Sequence, residues 1–142
     1  MGIVSIVLLV ILLVYVLLII QLIFGFNKVK SFHVTDLAPK TAFTIVIPFR
    51  NEAKNLPNLL ESISNLNYPH KMIEIILVDD FSTDNSERIC IQWRMKYEHL
   101  DTTLLENLHL SYSPKKDALG RAMPIAKHDW IVTTDADCIV NK

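Results

Sequence analysis

The sequence predicts an α/β fold: one transmembrane helix at the N-terminus, then a mostly parallel sheet with helices on both faces. Three observations predict it. Residues 3 to 26 carry no charge, and only Ser5, Gln21 and Gly25 interrupt the apolar run. Beyond that run, strand-like and helix-like segments alternate, the order that gives parallel strands joined by right-handed crossovers. The polar clusters fall just after the strand-like segments, where open α/β sheets bind their ligands.

Ile3 to Phe26 is longer than the roughly 20 residues that a helix needs to cross a bilayer core. A secretory signal is the rival reading. No Lys or Arg precedes the run, it is too long for a signal core, and no A-x-A site follows it. Residues 1–26 therefore read as a transmembrane helix, with the lipid bilayer as a partner. Lys28 and Lys30 come directly after it with no positive charge ahead. The positive-inside bias then makes this a single-pass membrane protein with its soluble domain on the cytoplasmic side. Residues 27–40, polar and Pro-containing, read as a juxtamembrane linker, and 41–142 as one soluble domain. All 14 Lys and Arg and all 15 Asp and Glu lie after residue 26, so this domain has ordinary soluble charge content. A net charge of −1 with no basic patch excludes nucleic acid as a partner. Cys90 and Cys138, without metal-ligand spacing, read as reduced packing thiols, and the five scattered histidines give no zinc signal.

Within the domain, Phe43 to Ile47 is a β-branched run closed by Pro48. Leu56, Leu59, Leu60, Ile63 and Leu66 recur at helical spacing, and Pro57 is tolerable only in a first turn. Ile73 to Val78 is a second strand, ended by Asp79-Asp80. Ser82, Thr83 and Asp84 offer N-caps for a helix whose face carries Ile89, Trp93 and Tyr97. Trp93, Met95 and Tyr97 are read as helix packing. A third strand lies between Thr102 and Leu110, its end blurred by Glu106 and Asn107. A helix over Asp117 to Lys127, weakened by Gly120 and Pro124, follows the loop Ser113-Pro114-Lys115-Lys116. Trp130 to Thr134 has the composition of a strand covered on both faces, and Asp135 and Asp137 follow it. On an extended chain alternate residues point the same way, so both carboxylates would face one cation.

Arg50-Asn51-Glu52, Asp79-Asp80 and Asp135 with Asp137 thus follow the first, second and fourth strands, and should converge on one crevice. Arg50 and the paired lysines suit phosphate, and the Asp135/Asp137 pair suits a hard divalent ion that keeps sites for phosphate oxygens. Together they describe a metal-chelated diphosphate, with Asp79 or Asp80 placed to accept hydrogen bonds from a base or ribose. Glycine usage excludes two common nucleotide folds. Beyond the apolar run the chain has only Gly120, so neither the Walker A loop nor the dinucleotide fingerprint exists.

Thr44 to Glu52, Ile76 to Asp84, Lys115 to Leu119 and Thr134 to Asp137 carry four motifs that, in this order, resemble family 2 glycosyltransferases. The resemblance covers residues 41 to 142, the first part of a family catalytic domain. It implies the nucleotide-binding half of a GT-A (Rossmann-like) fold and a nucleotide-sugar donor, a UDP-sugar above all, bound with Mg²⁺ or Mn²⁺. It places Pro48, Arg50, Asn51 and Glu52 beside the nucleotide, with Glu52 near the base or ribose, and makes Asp79 and Asp80 the acidic pair that contacts a uracil-type base and ribose. Lys115 or Lys116 matches the lysine near the diphosphate, although the family often has Gly beside it and this chain has none. Asp135 and Asp137 match the D-x-D motif, the first toward ribose and sugar and the second toward the metal. The implied reaction is displacement at the anomeric carbon by an acceptor hydroxyl, with the general base expected beyond Lys142.

Local readings compete at several positions. Arg50-Asn51-Glu52 can simply open a helix, Asp79, Asp80 and Asp84 can act as local caps, and Lys115-Lys116 can be a solvated loop. Two other functional classes share part of the pattern. One is a truncated nucleotide-binding or interaction module without turnover. The other is a metal-dependent nucleotidyltransferase, which requires a glycine-rich loop after the first strand that Pro48 to Glu52 does not supply.

Overall fold

A computed structural model describes residues 2–30 and 38–140, in two compact units, 1–37 and 38–142. In the first unit, helix α1 spans Ile3–Asn27. It is apolar all round and none of its residues is buried, which suits a helix whose solvent is lipid on every side. It is long and apolar enough to cross a bilayer. The expected linker lies in part (31–37) outside the described residues.

In the second unit the elements are β1 (Phe43–Phe49), α2 (Leu56–Ser64), β2 (Ile73–Asp79), α3 (Ser86–Lys96), β3 (Asp101–Glu106), α4 (Pro114–Ala122) and β4 (Trp130–Thr133). The four strands are parallel and ordered β3-β2-β1-β4. Strand parity divides the core. Ile45, Ile47 and Phe49 of β1 and Ile75 and Leu77 of β2 face one way, onto Leu56, Leu59, Leu60 and Ile63 of α2 and Cys90 and Trp93 of α3. Val46, Ile76 and Val78 face the other way, onto Ala118 and Ala122 of α4. Each large apolar side chain so buried contributes roughly 1.5–3 kcal/mol, which is why the apolar spacing of α2 and the continuous apolar runs of β1 and β2 predict these elements well. Pro57 falls in the first turn of α2, where no intrahelical N–H is needed.

Three expectations need correction. Helix α4 begins at Pro114, three residues ahead of Asp117, so Lys115 and Lys116 stand in its first turn rather than in a loop. Proline's fixed φ favours that starting position, and the helix gives way to a 3₁₀ turn at Met123–Ile125 around Pro124. Strand β4 is not covered on both faces: among the described residues it is an edge strand paired only with β1, and Trp130 remains 68% exposed. Nor does the chain stay extended through the acidic pair. The Cys138 N–H donates to the Asp135 carbonyl at 3.2 Å, and Ala136 is buried in the core. Ala136 and Asp137 therefore lie in a turn, and alternation along a strand does not aim the two carboxylates.

Candidate functional site

The connections from β1 through β2 to β3 run to one side of β1, whereas β4 lies on its other side. Such a reversal opens a crevice at the carboxyl ends of the strands. A pocket of about 330 Å³ occupies it, lined by Pro48, Phe49, Arg50, Asp80, Pro114, Lys115, Ala118 and Asp135. Residues from three strand ends and one helix start thus meet there, with Asn51, Glu52, Asp79, Lys116 and Asp137 outside its lining.

Asp80 is the buried charge of this pocket. Its backbone N–H donates to the Phe49 carbonyl at 2.8 Å, which ties the end of β2 to the end of β1. Its Oδ1 accepts from Asn107 Nδ2 at 2.6 Å and lies 2.6 Å from His109 Nε2, while Oδ2 lies 3.6 Å from Arg50 Nη1. Burial alone would raise its pKa, but the bonds from Asn107 and His109, with the charges of His109 and Arg50, outweigh that and hold the carboxyl below its ordinary value. Asp80 is consequently an acceptor only, and His109 Nε2 must be the donor.

Asn107 organises this side of the pocket. It is fully buried, and its N–H donates to the Asp79 carbonyl at 2.8 Å. Its Nδ2 also donates to the Pro114 carbonyl at 3.1 Å, and its Oδ1 accepts from the Leu108 N–H. One side chain so links β3, Asp80 and the start of α4. Asp117 fixes the loop between them, accepting from the Leu110 and Ser111 N–H groups and the Ser111 hydroxyl. The sequence reading missed Asn107, His109 and Asp117. A signal existed for the first, since a polar residue directly after a strand is what marks Asp79-Asp80.

On the other wall, Lys115 Nζ contacts Asp135 Oδ1 at 2.5 Å, with both side chains more than half exposed. Lys116 and Asp137 are exposed and do not line this pocket. Asn51 and Glu52 sit where the first and second strand-to-helix loops are sewn together. The Asn51 N–H donates to Ser82 Oγ, the Thr83 N–H donates to Asn51 Oδ1, and the Glu52 N–H donates to Ser86 Oγ. Asp84 accepts from both the Ala53 and Ser86 N–H groups, so its capping role extends across two loops. These bonds hold Asn51 and Phe81 at φ of 55° and 56°, a left-handed conformation that costs a bulky residue such as Phe81 about 1–3 kcal/mol. Asp79 faces an adjoining cleft of about 650 Å³ that it shares with Phe81, so the two adjacent aspartates serve different cavities. Cys90 is buried and beside Asp79 and Glu87, which pushes its thiol up to about 12; it is a packing residue and no nucleophile at neutral pH.

A parallel sheet with its polar pocket at the switch point, arranged in this way, is a GT-A-like α/β fold. The Glycosyl transferase family 2 profile matches residues 44–142, and the chain belongs to that family. It is 34% identical over 99 residues to the glycosyltransferase GlyG of Streptococcus pneumoniae, which covers 70% of this chain and 31% of that protein. The mannosyltransferase PcManGT from Pyrobaculum calidifontis, solved with GDP-Man and Mn²⁺, superposes with a TM-score of 0.75 at 26% identity over 89% of this chain and 36% of its own. TarS of Staphylococcus aureus, solved with UDP-GlcNAc, superposes with a TM-score of 0.58 at 26% identity over 72% of this chain and 28% of its own. The chain therefore spans about a third or less of these relatives.

Proposed function

We propose that this chain supplies the donor half of a membrane-anchored glycosyltransferase that moves a sugar from a nucleoside diphosphate to an acceptor hydroxyl. The observation that carries the reading is the pocket itself, where a buried Asp80 and two exposed cationic side chains, Arg50 and Lys115, line one cavity with Asp135. Asp80 presents an acceptor suited to a base or ribose, and Lys115 a donor suited to phosphate oxygens. The solved relatives carry both guanine and uracil nucleotides, which supports a nucleotide sugar without choosing its base.

The residues fit a hard divalent cation. Among the described residues no group of three or more His, Cys, Asp and Glu is clustered as for a protein-built metal site. Asp135 and Asp137 are exposed oxygen donors, the set that holds Mg²⁺ or Mn²⁺ through one or two carboxylates while phosphates and water complete the shell. Held there by Asp135 and Asp137, such an ion would supply positive charge to a departing diphosphate. Lys115, now on Asp135, would turn to the diphosphate as donor binds, and Asp80 would orient the nucleoside. Asn51, Glu52 and Asp79 act in this reading by holding the two loops and the base side of the crevice, and Lys116 remains a solvated neighbour of Lys115.

Helix α1 anchors the domain to a bilayer, with Lys28 and Lys30 favouring the cytoplasmic side. Calorimetric titration of a mixture of UDP and GDP into the detergent-solubilised chain tests the site. Binding should require Mn²⁺ and be lost in Asp137→Ala. Binding of equal strength with and without Mn²⁺ would exclude the metal, and no binding by the folded chain would exclude the donor site.

A further inference from the structure

The geometry around Asp80 points to a choice of base. We infer that His109, together with Asn107, determines which nucleobase the pocket accepts, by filling one oxygen of Asp80 and leaving a single acceptor beside Arg50. The inference rests on the nucleotide-sugar reading above and deepens it.

A carboxylate oxygen has room for about two donors. Oδ1 of Asp80 already has two, Asn107 Nδ2 and His109 Nε2, both at 2.6 Å. Oδ2 is the oxygen left to accept from a ligand, and a guanidinium nitrogen of Arg50 lies 3.6 Å from it. A ligand base therefore meets one acceptor flanked by one donor. Uracil suits this pair: its N3–H can donate to Oδ2 while an adjacent carbonyl accepts from Arg50. Cytosine offers the same pair in another register, its exocyclic amine donating to Oδ2 and its N3 accepting from Arg50, so the pair does not separate the two pyrimidines. Guanine can place N1–H on Oδ2 and O6 on Arg50, but its exocyclic amine would then need the oxygen that His109 and Asn107 occupy. Leaving a buried polar group unpaired is the strongest basis on which a site rejects an analogue.

His109 is placed to hold this arrangement. Its ring meets Phe81 edge-on, with centroids 4.8 Å apart, and Phe81 is itself fixed in the left-handed conformation between Asp79 and Ser82. His109 thus acts through Asp80 as a specificity residue, while Asn107 doubles as a structural link to α4.

UDP, CDP and GDP titrated separately into the detergent-solubilised chain with Mn²⁺, and into His109→Phe, test the inference. Phenylalanine keeps an aromatic ring for Phe81 and removes the donor. The wild-type chain should favour both UDP and CDP over GDP by about tenfold or more. In His109→Phe the preference for UDP over GDP should shrink to about threefold or less. A wild-type chain that prefers GDP, or binds all three alike, would overturn the inference and leave the nucleotide-sugar reading standing. So would an unchanged UDP to GDP ratio in a variant that binds both. Binding of none of the three by the folded wild-type chain would overturn the nucleotide-sugar reading and this inference with it.

Discussion

The two ends of the sheet each carry a lysine against a carboxylate, and they differ in burial and in the number of bonds. At the amino end Glu74 is 1% exposed, accepts from Thr44 Oγ1 at 2.7 Å and from the Lys127 N–H at 2.8 Å, and has Lys127 Nζ 3.9 Å away. Lys127 Nζ also holds Asp101 at the start of β3. At the carboxyl end Asp135 has one ionic contact among the described residues, Lys115, and both are largely solvated. Glu74 lines no pocket with Lys115 and Asp135 and belongs to the fold, because removing it strands those donors. An exposed pair held by a single contact is worth little to stability, and a ligand can replace either partner. The same residue types therefore do different work according to how many other bonds surround them.

The largest effect expected is at the amino end. Glu74→Ala leaves the Thr44 hydroxyl and the Lys127 amide without an acceptor and should cost about 3 kcal/mol or more, read as a lower midpoint in urea unfolding. An unchanged midpoint would erase the contrast between the two ends. Asn107→Ala should come next, at about 1–3 kcal/mol, since it frees Asp80 and the Pro114 carbonyl. Its unfolding by acid should change as well. Asp80 is held below its ordinary value in the folded chain, so its ionised form contributes stability that is fully present above the unfolded carboxyl value of about 3.9 and lost as pH falls through the lower folded value. Removing Asn107 should shrink that acid-dependent part, which paired urea curves at neutral and acidic pH would measure. Smallest of all, Lys116→Ala should alter nucleotide affinity less than about twofold, whereas Lys115→Ala should weaken it about tenfold. Equal losses in the two variants would show that the pocket does not distinguish neighbouring lysines.

Much of this layout was legible in the residues alone. The β-branched runs before Pro48 and Asp79 and the leucine spacing of α2 specify buried elements by period and composition, and parallel order follows from their alternation. Composition does not separate a central strand from an edge strand, so β4 reads as covered when one side of it has no neighbour. The turn at Asp135 depends on Ala136 finding the core, a tertiary contact with no local signature. His109 and Asn107 were missed for a similar reason: their meaning arises only when β3 aligns beside β2 and brings them to Asp80. Arg50, Asp80, Lys115 and Asp135 were legible because strand ends in such a sheet share one edge, whereas Asp79 shows that adjacent residues there can face different cavities.

The central claim is that the carboxyl end of the sheet is a ligand site and not a second structural clasp. Asp135→Asn, compared with the wild-type chain in urea unfolding and in Mn²⁺-dependent UDP titration, tests it most directly. The expected result is an unfolding midpoint within about 1 kcal/mol of wild type and UDP affinity reduced about tenfold or more. A variant that unfolds much more readily, or one that binds UDP as the wild type does, would contradict it.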